Sequence, residues 1–540
     1  MEGLMMNFPL TLQPILRRAR DIYPQNEIIT RLADGGVHRY TYGEFYQRVL
    51  RLMDALKRAG VKPGDRVATF AWNRYQHMEL YYAIPCLGAV LHTLNIRLST
   101  EQMVYTINHA EDRFIFVDDV LTDQLLAVQD ECPQVERFVV IAEQGSADDC
   151  GLRGQEDYEA FLAGGEPVED FPEIDENAAC AMCYTSGTTG NPKGALYSHR
   201  SLYLHSMCVT MADTMALSQY DIVLPIVPMF HVNCWGIPFA AVMTGATIIY
   251  PGQNPQAADL VSLIQNEKVT LAAGVPTIWN MVAQYVDQNG GDLSSLQRVV
   301  CGGSAVPRAL MEKYEDDYGV PIIQLWGMTE LSPLGTVSHI KRHMREWPRE
   351  RQYEYRLKQG IPVPGIEVRI EDEQGNLQPW DGEHMGELVV RGAWVIRDYY
   401  RKEGGASAFK ADGWFGTGDV ARMDGEGYMQ ITDRVKDLIK SGGEWISSVD
   451  MENLLVAHSD VLEAAVVARP DAKWDERPVA FVVPVEGRTE ALTPDSVREW
   501  LSAEFAQWQL PYADDVHTID AIPKTSVGKI DKKVLRRRFD

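Results

Sequence analysis

Residues 184–194 read YTSGTTGNPKG, a stretch in which eight of eleven residues are Ser, Thr, Gly or Pro. The apolar run 178–183 precedes it and is typical of a buried strand. Glycines allow the backbone to turn tightly and to direct its N–H groups to one point, and hydroxyls and a lysine add further donors. This composition suits a polyphosphate ligand. The predicted contacts come from Thr185, Ser186, Gly187, Thr188, Thr189, Gly190 and Lys193.

A flexible linker is the alternative interpretation of this stretch, because Ser, Thr and Gly are also common in linkers. A linker rarely follows a buried strand and rarely ends in Pro-Lys-Gly, so the phosphate-binding loop is favoured. A Walker A loop is excluded, because that motif requires Ser or Thr after its lysine and Lys193 is followed by Gly194.

The composition is typical of a globular protein with more than one domain. The chain has 540 residues, which is too long for one ordinary hydrophobic core, and 45% of them are apolar and 24% charged. Acidic residues outnumber basic residues by 76 to 51, which gives a formal charge of −25. This charge disfavours nucleic-acid partners and anionic membranes, but a local pocket of donors and cations can still bind a nucleotide.

Several features predict a cytoplasmic protein without a transmembrane segment. The N-terminal residues show no basic region before an apolar run and no small-residue cleavage site, which argues against a signal peptide. The eight cysteines lack a framework spacing and are predicted to be reduced, and the CxxC of Cys180 and Cys183 is interpreted as core packing. Residues 222–258 contain no Lys, Arg, Asp or Glu, but prolines and glycines interrupt them, so we predict a buried strand, a turn and a buried helix.

The order of patterns along the chain predicts an α/β fold. A capping box of Thr41 and Glu44 begins a helix over 41–60, and strand-like and helical runs then alternate up to residue 301. This alternation predicts a large N-terminal domain of parallel sheets flanked by helices, with ligands at the carboxyl ends of the strands. Residues 144–177 are acidic and are predicted to form an exposed excursion.

After Gly360 the pattern changes to short alternating strands, which predict a small antiparallel unit. A compact α+β unit follows it. The predicted domain boundary lies at Lys436, so that the N-terminal domain covers 1–435 and the C-terminal domain covers 436–540.

Five motifs resemble those of the adenylate-forming (ANL) superfamily of acyl-CoA synthetases and ligases. In chain order they are YTSGTTGNPKG at 184–194, LWGMTE at 325–330, GTGD at 416–419, DRVKDLIKSGGE at 433–444 and PKTSVGK at 523–529. MFHVNCW at 229–235 and GEWISS at 443–448 look like the medium- to long-chain fatty acyl-CoA synthetase branch. The sequence departs from the family pattern at Trp326, where Tyr is usual, at Lys436, where many relatives have Asp, and at 507–509, where a Lys-Tyr-Lys-type run is commoner.

The resemblance implies an enzyme with two half-reactions. A fatty carboxylate attacks the α-phosphorus of ATP and expels pyrophosphate, which leaves acyl-AMP; the thiol of CoA then attacks the acyl carbon and expels AMP. The approach of an anion to a phosphoryl group requires neutralised charge, so Mg²⁺ is the implied cofactor. ATP, a fatty acid and CoA are the implied substrates.

The resemblance also implies site residues. Thr185 and Glu330 would hold Mg²⁺, and Lys529 would reach the carboxylate and the α-phosphate, so these three are the predicted catalytic residues. Besides the loop, the predicted nucleotide site contains Gly303, Ser304, Gln324, Leu325, Trp326, Gly327, Thr329, Asp419, Arg434, Lys436 and Lys440. The predicted acyl and CoA contacts are His231, Val232, Trp235, Gly443 and Trp445.

The C-terminal domain is implied to be mobile. It would rotate about Lys436 and exchange the Lys529 loop for the 441–445 loop between the half-reactions. The basic, aromatic run 339–358 is predicted to be a solvated helical insertion, with contact to CoA phosphates or to a second subunit of a homodimer as the alternative.

Three alternatives remain open from the sequence. The acid that is activated would instead be short, methylthio-alkanoic or aryl, or the acceptor would be a carrier protein or oxygen. A nucleotide sensor that has lost catalysis is a third interpretation. The presence of Lys529, Glu330 and Asp419 argues against it, because a non-catalytic protein would not need them all. Taken singly, Asp419 could be a turn residue, Glu330 a helix N-terminal charge and Trp235 a core side chain; the ordered set of motifs favours the site.

Overall fold

A nine-stranded sheet and a seven-stranded sheet, both mostly parallel, form the larger part of the structure. The computed structural model describes residues 1, 3–143, 145, 147–185, 191–402, 408–441, 444–485, 487–524 and 530–539. In spatial order the nine-stranded sheet contains β16 (Ile361–Pro362), β15 (Leu334–Val337), β14 (Ile322–Gly327), β13 (Arg298–Cys301), β12 (Leu271–Gly274), β10 (Ile222–Pro225), β11 (Thr247–Tyr250), β1 (Glu27–Arg31) and β2 (Val37–Thr41). The seven-stranded sheet contains β7 (Glu156–Asp157), β6 (Arg137–Ile141), β5 (Phe114–Asp118), β3 (Arg66–Phe70), β4 (Val90–Thr93), β8 (Ala179–Tyr184) and β9 (Gly194–Ser198).

Antiparallel pairs occur only at the edges of these two sheets within the described chain: β1 with β2, β14 with β15, β15 with β16, and β8 with β9. The parallel centre follows from the alternation of strands and helices, because parallel neighbours need a crossover connection. The predicted α/β class is therefore confirmed.

Helices cover the faces of the sheets. Those of the first 360 residues are α1 (Leu12–Asp21), α2 (Tyr42–Arg58), α3 (Tyr75–Cys86), α4 (Thr100–Ala110), α5 (Thr122–Leu126), α6 (Tyr158–Ala163), α7 (His199–Val209), α8 (Val232–Trp235), α9 (Ile237–Thr244), α10 (Ala257–Glu267), α11 (Pro276–Asn289), α12 (Arg308–Tyr318) and α13 (Arg349–Arg356). The predicted capping box is present at α2, where the Thr41 side chain accepts from the Glu44 N–H. Among the described residues, no helix has the length and apolar character needed to cross a bilayer.

Two smaller sheets follow. An antiparallel sheet contains β17 (Ile366–Glu371), β18 (Gly386–Gly392), β19 (Phe415–Met423) and β20 (Met429–Arg434), as the alternating pattern predicts. The last sheet contains β22 (Glu444–Ile446), β21 (Ile439–Ser441), β24 (Asp475–Pro484), β23 (Val461–Asp471) and β25 (Val516–Thr518), with helices α14 (Ser448–Val456), α15 (Pro494–Leu501) and α16 (Lys532–Arg536).

The prediction of an exposed excursion over 144–177 is wrong in its centre. Strand β7 extends the seven-stranded sheet, and α6 buries Tyr158 and Phe161 against the core. The sequence pattern did not reveal this element, because its two aromatic residues lie within a run that is mostly polar and acidic. The basic run 339–358 is helical, as predicted, and its Tyr353 is fully buried.

Candidate active site

One cavity of about 410 Å³ lies between the carboxyl ends of β8, β13 and β14 and the antiparallel sheet. It is lined by predicted site residues that are spread between residues 185 and 434. These are Thr185, Lys193, His231, Val232, Trp235, Gly303, Leu325, Trp326, Gly327, Thr329, Glu330 and Arg434. The described residues Ser304, Gln324, Asp419, Lys436 and Lys440 are not among its lining residues, and Ser186, Gly187, Thr188, Thr189, Gly190, Gly443 and Lys529, with the side chain of Trp445, lie outside the part of the chain that is described.

The ends of the 184–194 loop are held together at the edge of the seven-stranded sheet. The backbone N–H of Thr185 donates to the carbonyl of Lys193 at 2.9 Å. The N–H of Lys193 in turn donates to the hydroxyl oxygen of Thr185 at 3.1 Å. Strands β8 and β9 pair antiparallel up to Tyr184 and Gly194, and Thr185 and Lys193, the next residues on each side, both line the cavity.

Glu330 is a buried carboxylate in the wall of the cavity, 6% exposed. The hydroxyl of Tyr399 donates to its Oε1 at 2.6 Å. Burial raises the pKa of Glu330, and the Tyr399 hydrogen bond opposes that rise by stabilising the ionised form. The Lys193 ammonium lies over the ring of the same tyrosine, 4.9 Å from its centroid.

Tyr399 is therefore a site residue that the sequence interpretation missed. Its ring contacts the positive group and its hydroxyl contacts the negative group of the predicted phosphate and metal site. It follows Asp398 in the plain run RDYY, which belongs to none of the quoted motifs. A contact between residues 69 positions apart leaves no local signal.

Asp419 is held through both of its carboxylate oxygens by two residues that line the cavity. Arg434, its partner across β19 and β20, approaches Oδ1 with Nε at 2.7 Å. The indole N–H of Trp326 donates to Oδ2 at 3.1 Å. The structure thus brings together three residues that come from three separate motifs.

Gln324 has a structural contact at each of its side-chain polar atoms. Its Oε1 accepts from the Val306 N–H at 2.6 Å, and its Nε2 donates to the carbonyls of Leu357 and Lys358, each at 2.9 Å. These bonds join β14 to the loop after β13 and to the end of the basic segment. Gln324 therefore does not line the cavity but holds in place the backbone segments that its hydrogen bonds join.

Gly327 follows Trp326 where the chain passes very close to another backbone segment. A Cβ at this position would lie 2.0 Å from the carbonyl oxygen of Pro333, so only glycine fits. This close approach turns the chain from β14 into the segment that carries Thr329 and Glu330.

A left-handed turn forms the apolar part of the cavity wall. Val232, Asn233, Cys234 and Trp235 all have positive φ, between 45° and 55°, and Gly236 follows at 72°. Consecutive non-glycine residues in this region are rare because Cβ crowds the carbonyl oxygen that follows. The Asn233 Oδ1 accepts from the Cys183 thiol at 3.1 Å, which joins the turn to β8.

The turn places the Trp235 ring against the loop after β13. A Cβ added at Gly302 would lie 3.3 Å from that ring. Trp235 is 7% exposed and lines the cavity together with His231 and Val232. An apolar wall with one broad aromatic ring thus adjoins the polar wall that carries Glu330.

The segment around the predicted hinge contacts both of the smaller sheets. The Ser448 N–H donates to Asp433 Oδ2 at 2.6 Å. Lys440 forms an ion pair with Glu373 at 2.6 Å, and burial lowers the pKa of Lys436. These contacts lie beside the predicted boundary, whose position stays a prediction.

Comparisons with known proteins agree with this arrangement. The sequence model of the AMP-binding enzyme family matches residues 16–400, and that of the AMP-binding enzyme C-terminal domain matches residues 450–529. The chain is 45% identical to a long-chain-fatty-acid–CoA ligase of Thermus thermophilus, over 100% of this chain and 99% of the relative. It is 43% identical to a 3-methylmercaptopropionyl-CoA ligase of Ruegeria lacuscaerulensis, with the same coverage.

A solved structure shares the fold. The anthranilate CoA ligase AuaEII, in complex with anthranoyl-AMP, superposes with a TM-score of 0.86 at 23% identity, over 100% of this chain and 99% of that one. The family match covers most of the chain, and the resemblance that the five motifs carry is confirmed. The chain belongs to the AMP-binding enzyme family.

Proposed function

We propose that this protein is an ATP-dependent acyl-CoA ligase that activates a medium- to long-chain fatty acid. The acid is converted to acyl-AMP with release of pyrophosphate, and then to the CoA thioester with release of AMP. One observation carries the proposal: Thr185 and Lys193 from the two ends of the loop, the buried carboxylate of Glu330, and Trp326 and Arg434, which both hold Asp419, line one cavity together with the apolar side chains of Val232 and Trp235.

The polar wall suits ATP. The Lys193 ammonium supplies a positive charge beside the loop, and an acceptor-only carboxylate such as Asp419 can receive both ribose hydroxyls. Trp326 offers a flat face to the adenine. We assign the nucleotide to this wall, with its phosphates toward Thr185 and Glu330.

The donor set fits Mg²⁺ only in part, as expected for a metal that is shared with a nucleotide. Glu330 supplies a carboxylate and Thr185 a hydroxyl, and the described residues contain no cluster of three His, Cys, Asp or Glu side chains that would hold a metal alone. Mg²⁺ prefers octahedral oxygen ligands and commonly takes several from phosphates and water. Bound there, it would neutralise charge on the phosphates while Lys529 approaches the reacting carboxylate.

The apolar wall suits an alkyl chain. Val232 and Trp235 line the cavity beside His231, and each buried CH₂ contributes about 0.8 kcal/mol. The similarity to a long-chain-fatty-acid–CoA ligase supports this substrate class. The second candidate is a methylthio-alkanoic acid, because a relative named for such a substrate is nearly as similar to this chain.

We further propose that residues 436–540 form a mobile domain that presents Lys529 for adenylation and the 441–445 loop for thioester formation. The bonds of Asp433 to Ser448 and of Lys440 to Glu373 would have to change during that rotation. A cytoplasmic location is also proposed; all eight cysteines lie in the described chain as free thiols, which supports a reducing compartment.

The test is AMP release as a function of the acid supplied. Purified protein with ATP, Mg²⁺ and CoA is given octanoate, palmitate, 3-methylthiopropionate or benzoate, and AMP and the acyl-CoA product are measured. We expect the highest kcat/KM for a straight-chain fatty acid. If only methylthiopropionate or benzoate reacted, the substrate class would be refuted, and if no acid stimulated AMP release or pyrophosphate exchange, the ligase itself would be.

A further inference from the structure

Trp326, which stands where Tyr is usual in the family, has an indole N–H in addition to its flat ring, and this N–H donates to Asp419. Trp326 lies at the end of β14 in the nine-stranded sheet, and Asp419 lies on β19 in the antiparallel sheet. Their side chains are 8% and 3% exposed, and the indole Nε1 is 3.1 Å from Asp419 Oδ2. The bond therefore connects two sheets across the edge of the cavity.

The orientation of the indole is set by backbone rather than by flexible neighbours. Strand β15 pairs antiparallel with β14, and its Gly335 lies under the six-membered ring of Trp326. A Cβ added at Gly335 would lie 2.5 Å from that ring, which real structures do not tolerate without a shift. Close packing on a glycine leaves the ring little freedom to rotate, so its N–H keeps its direction toward Asp419.

The carboxylate of Asp419 has capacity left after its two protein contacts. An ionised carboxylate offers about four lone-pair sites, two on each oxygen. Arg434 uses one site on Oδ1 at 2.7 Å, and Trp326 uses one on Oδ2 at 3.1 Å. Among the described residues these two contacts leave one site on each oxygen, which matches the two hydroxyls of a ribose.

We infer that Trp326 is a positioning residue for the ribose: its indole N–H fixes the rotation of the Asp419 carboxylate, so that both oxygens accept from the nucleotide diol. This inference rests on the proposed function, in which Asp419 binds the ribose of ATP. A phenylalanine would keep the flat face and lose the donor. A tyrosine would carry its hydroxyl at the far end of the ring, away from the position of the indole N–H.

The experiment compares the effect of one substitution in the protein on the binding of two nucleotides, one with and one without the ribose hydroxyls. Dissociation constants of ATP and of 2′,3′-dideoxy-ATP are measured by calorimetry for the wild type and for Trp326→Phe. We expect the variant to bind ATP about tenfold more weakly, as for loss of a hydrogen bond to a charged group. Its affinity for the dideoxy nucleotide should change by less than about twofold, because that ligand has no hydroxyls for Asp419 to receive.

Trp279→Phe is the matched control. Trp279 is fully buried, and its indole nitrogen has no hydrogen-bond partner within the described chain, so the same substitution removes ring volume without removing a bond. It does not line the cavity. We expect both nucleotides to bind this variant as they bind the wild type.

Equal weakening of both nucleotides by Trp326→Phe would overturn the inference, since the residue would then act by stacking alone. If that variant did not fold, as judged by its thermal unfolding, Gly335→Ala would be measured instead. This variant keeps the indole but displaces it, and we expect the same selective loss for ATP; an equal loss for both ligands would again overturn the inference. A wild-type protein that bound neither nucleotide would refute the proposed function instead.

Discussion

Removing a single oxygen atom from Tyr399 should raise the Mg²⁺ concentration that the reaction requires. The Tyr399 hydroxyl donates to Glu330 Oε1 at 2.6 Å, a distance typical of a bond between a hydroxyl and a carboxylate. Glu330 is 6% exposed, so water has little access to replace the lost donor. In Tyr399→Phe the carboxylate proposed to bind Mg²⁺ loses the group that orients it.

The size of the effect follows from the charge and burial of the pair. A hydrogen bond to a charged group contributes about 1.5–3 kcal/mol, and about 1.4 kcal/mol corresponds to a factor of ten in an equilibrium constant. We therefore expect the half-saturating Mg²⁺ concentration to rise by about tenfold or more. The Lys193 ammonium, 4.9 Å from the ring centroid, keeps its aromatic partner in this variant, so the KM for ATP at saturating Mg²⁺ should change far less.

The assay is acid-dependent AMP formation over a series of Mg²⁺ concentrations, for the wild type, Tyr399→Phe and Tyr399→Leu. The leucine variant removes the ring as well, and the lost cation–π contact should raise its KM for ATP by about two- to fivefold. Tyr314→Phe is the control, because its buried hydroxyl donates to the Trp279 carbonyl at 2.8 Å away from the cavity. An unchanged Mg²⁺ dependence in Tyr399→Phe would refute the reasoning.

Two further predictions concern stability and domain motion. Burial lowers the pKa of His205 from its ordinary value of 6.5 to about 3, so below pH 6.5 the unfolded chain gains a proton that the folded chain excludes, and stability is lost as the pH falls. Between pH 7 and pH 5 the wild type should lose about 2 kcal/mol more than His205→Gln in denaturant unfolding; parallel pH profiles would contradict this. Lys529→Ala should lose adenylation but still convert supplied acyl-AMP and CoA to thioester, and an equal loss of both steps would contradict the two-loop mechanism.

Local sequence patterns predicted most of the fold because their signals lie within a few residues of the element concerned. The cap of α2 needs only Thr41 and Glu44, and the uncharged run 222–258 carries its own turn signals. The alternation of strands and helices then fixes a parallel sheet and the edge at which ligands bind. The position of Thr185, which follows β8 and lines the cavity, agrees with this rule.

Contacts between distant parts of the chain were not predictable in the same way. Trp326 and Asp419 are 93 positions apart, and Tyr399 and Glu330 are 69 apart. Which side chains meet there depends on the register of strands in different sheets. The left-handed turn at 232–235 was also missed, because its residues carry no Gly until position 236 and tertiary packing overrides their backbone preference.

That turn limits how the apolar wall that we propose for the acyl chain can be redesigned. The left-handed backbone costs most non-glycine residues about 1–2 kcal/mol each. Replacing Cys234 by glycine or asparagine would reduce this conformational cost, because both residues adopt positive φ more readily. Proline is excluded from all four positions, because its ring fixes φ near −65°. Val232 already carries a branched side chain at φ 45°, where surrounding packing overrides the backbone preference. A mutant library aimed at chain-length preference should therefore vary side-chain size at Trp235 and keep the neighbouring positions to residues that accept positive φ.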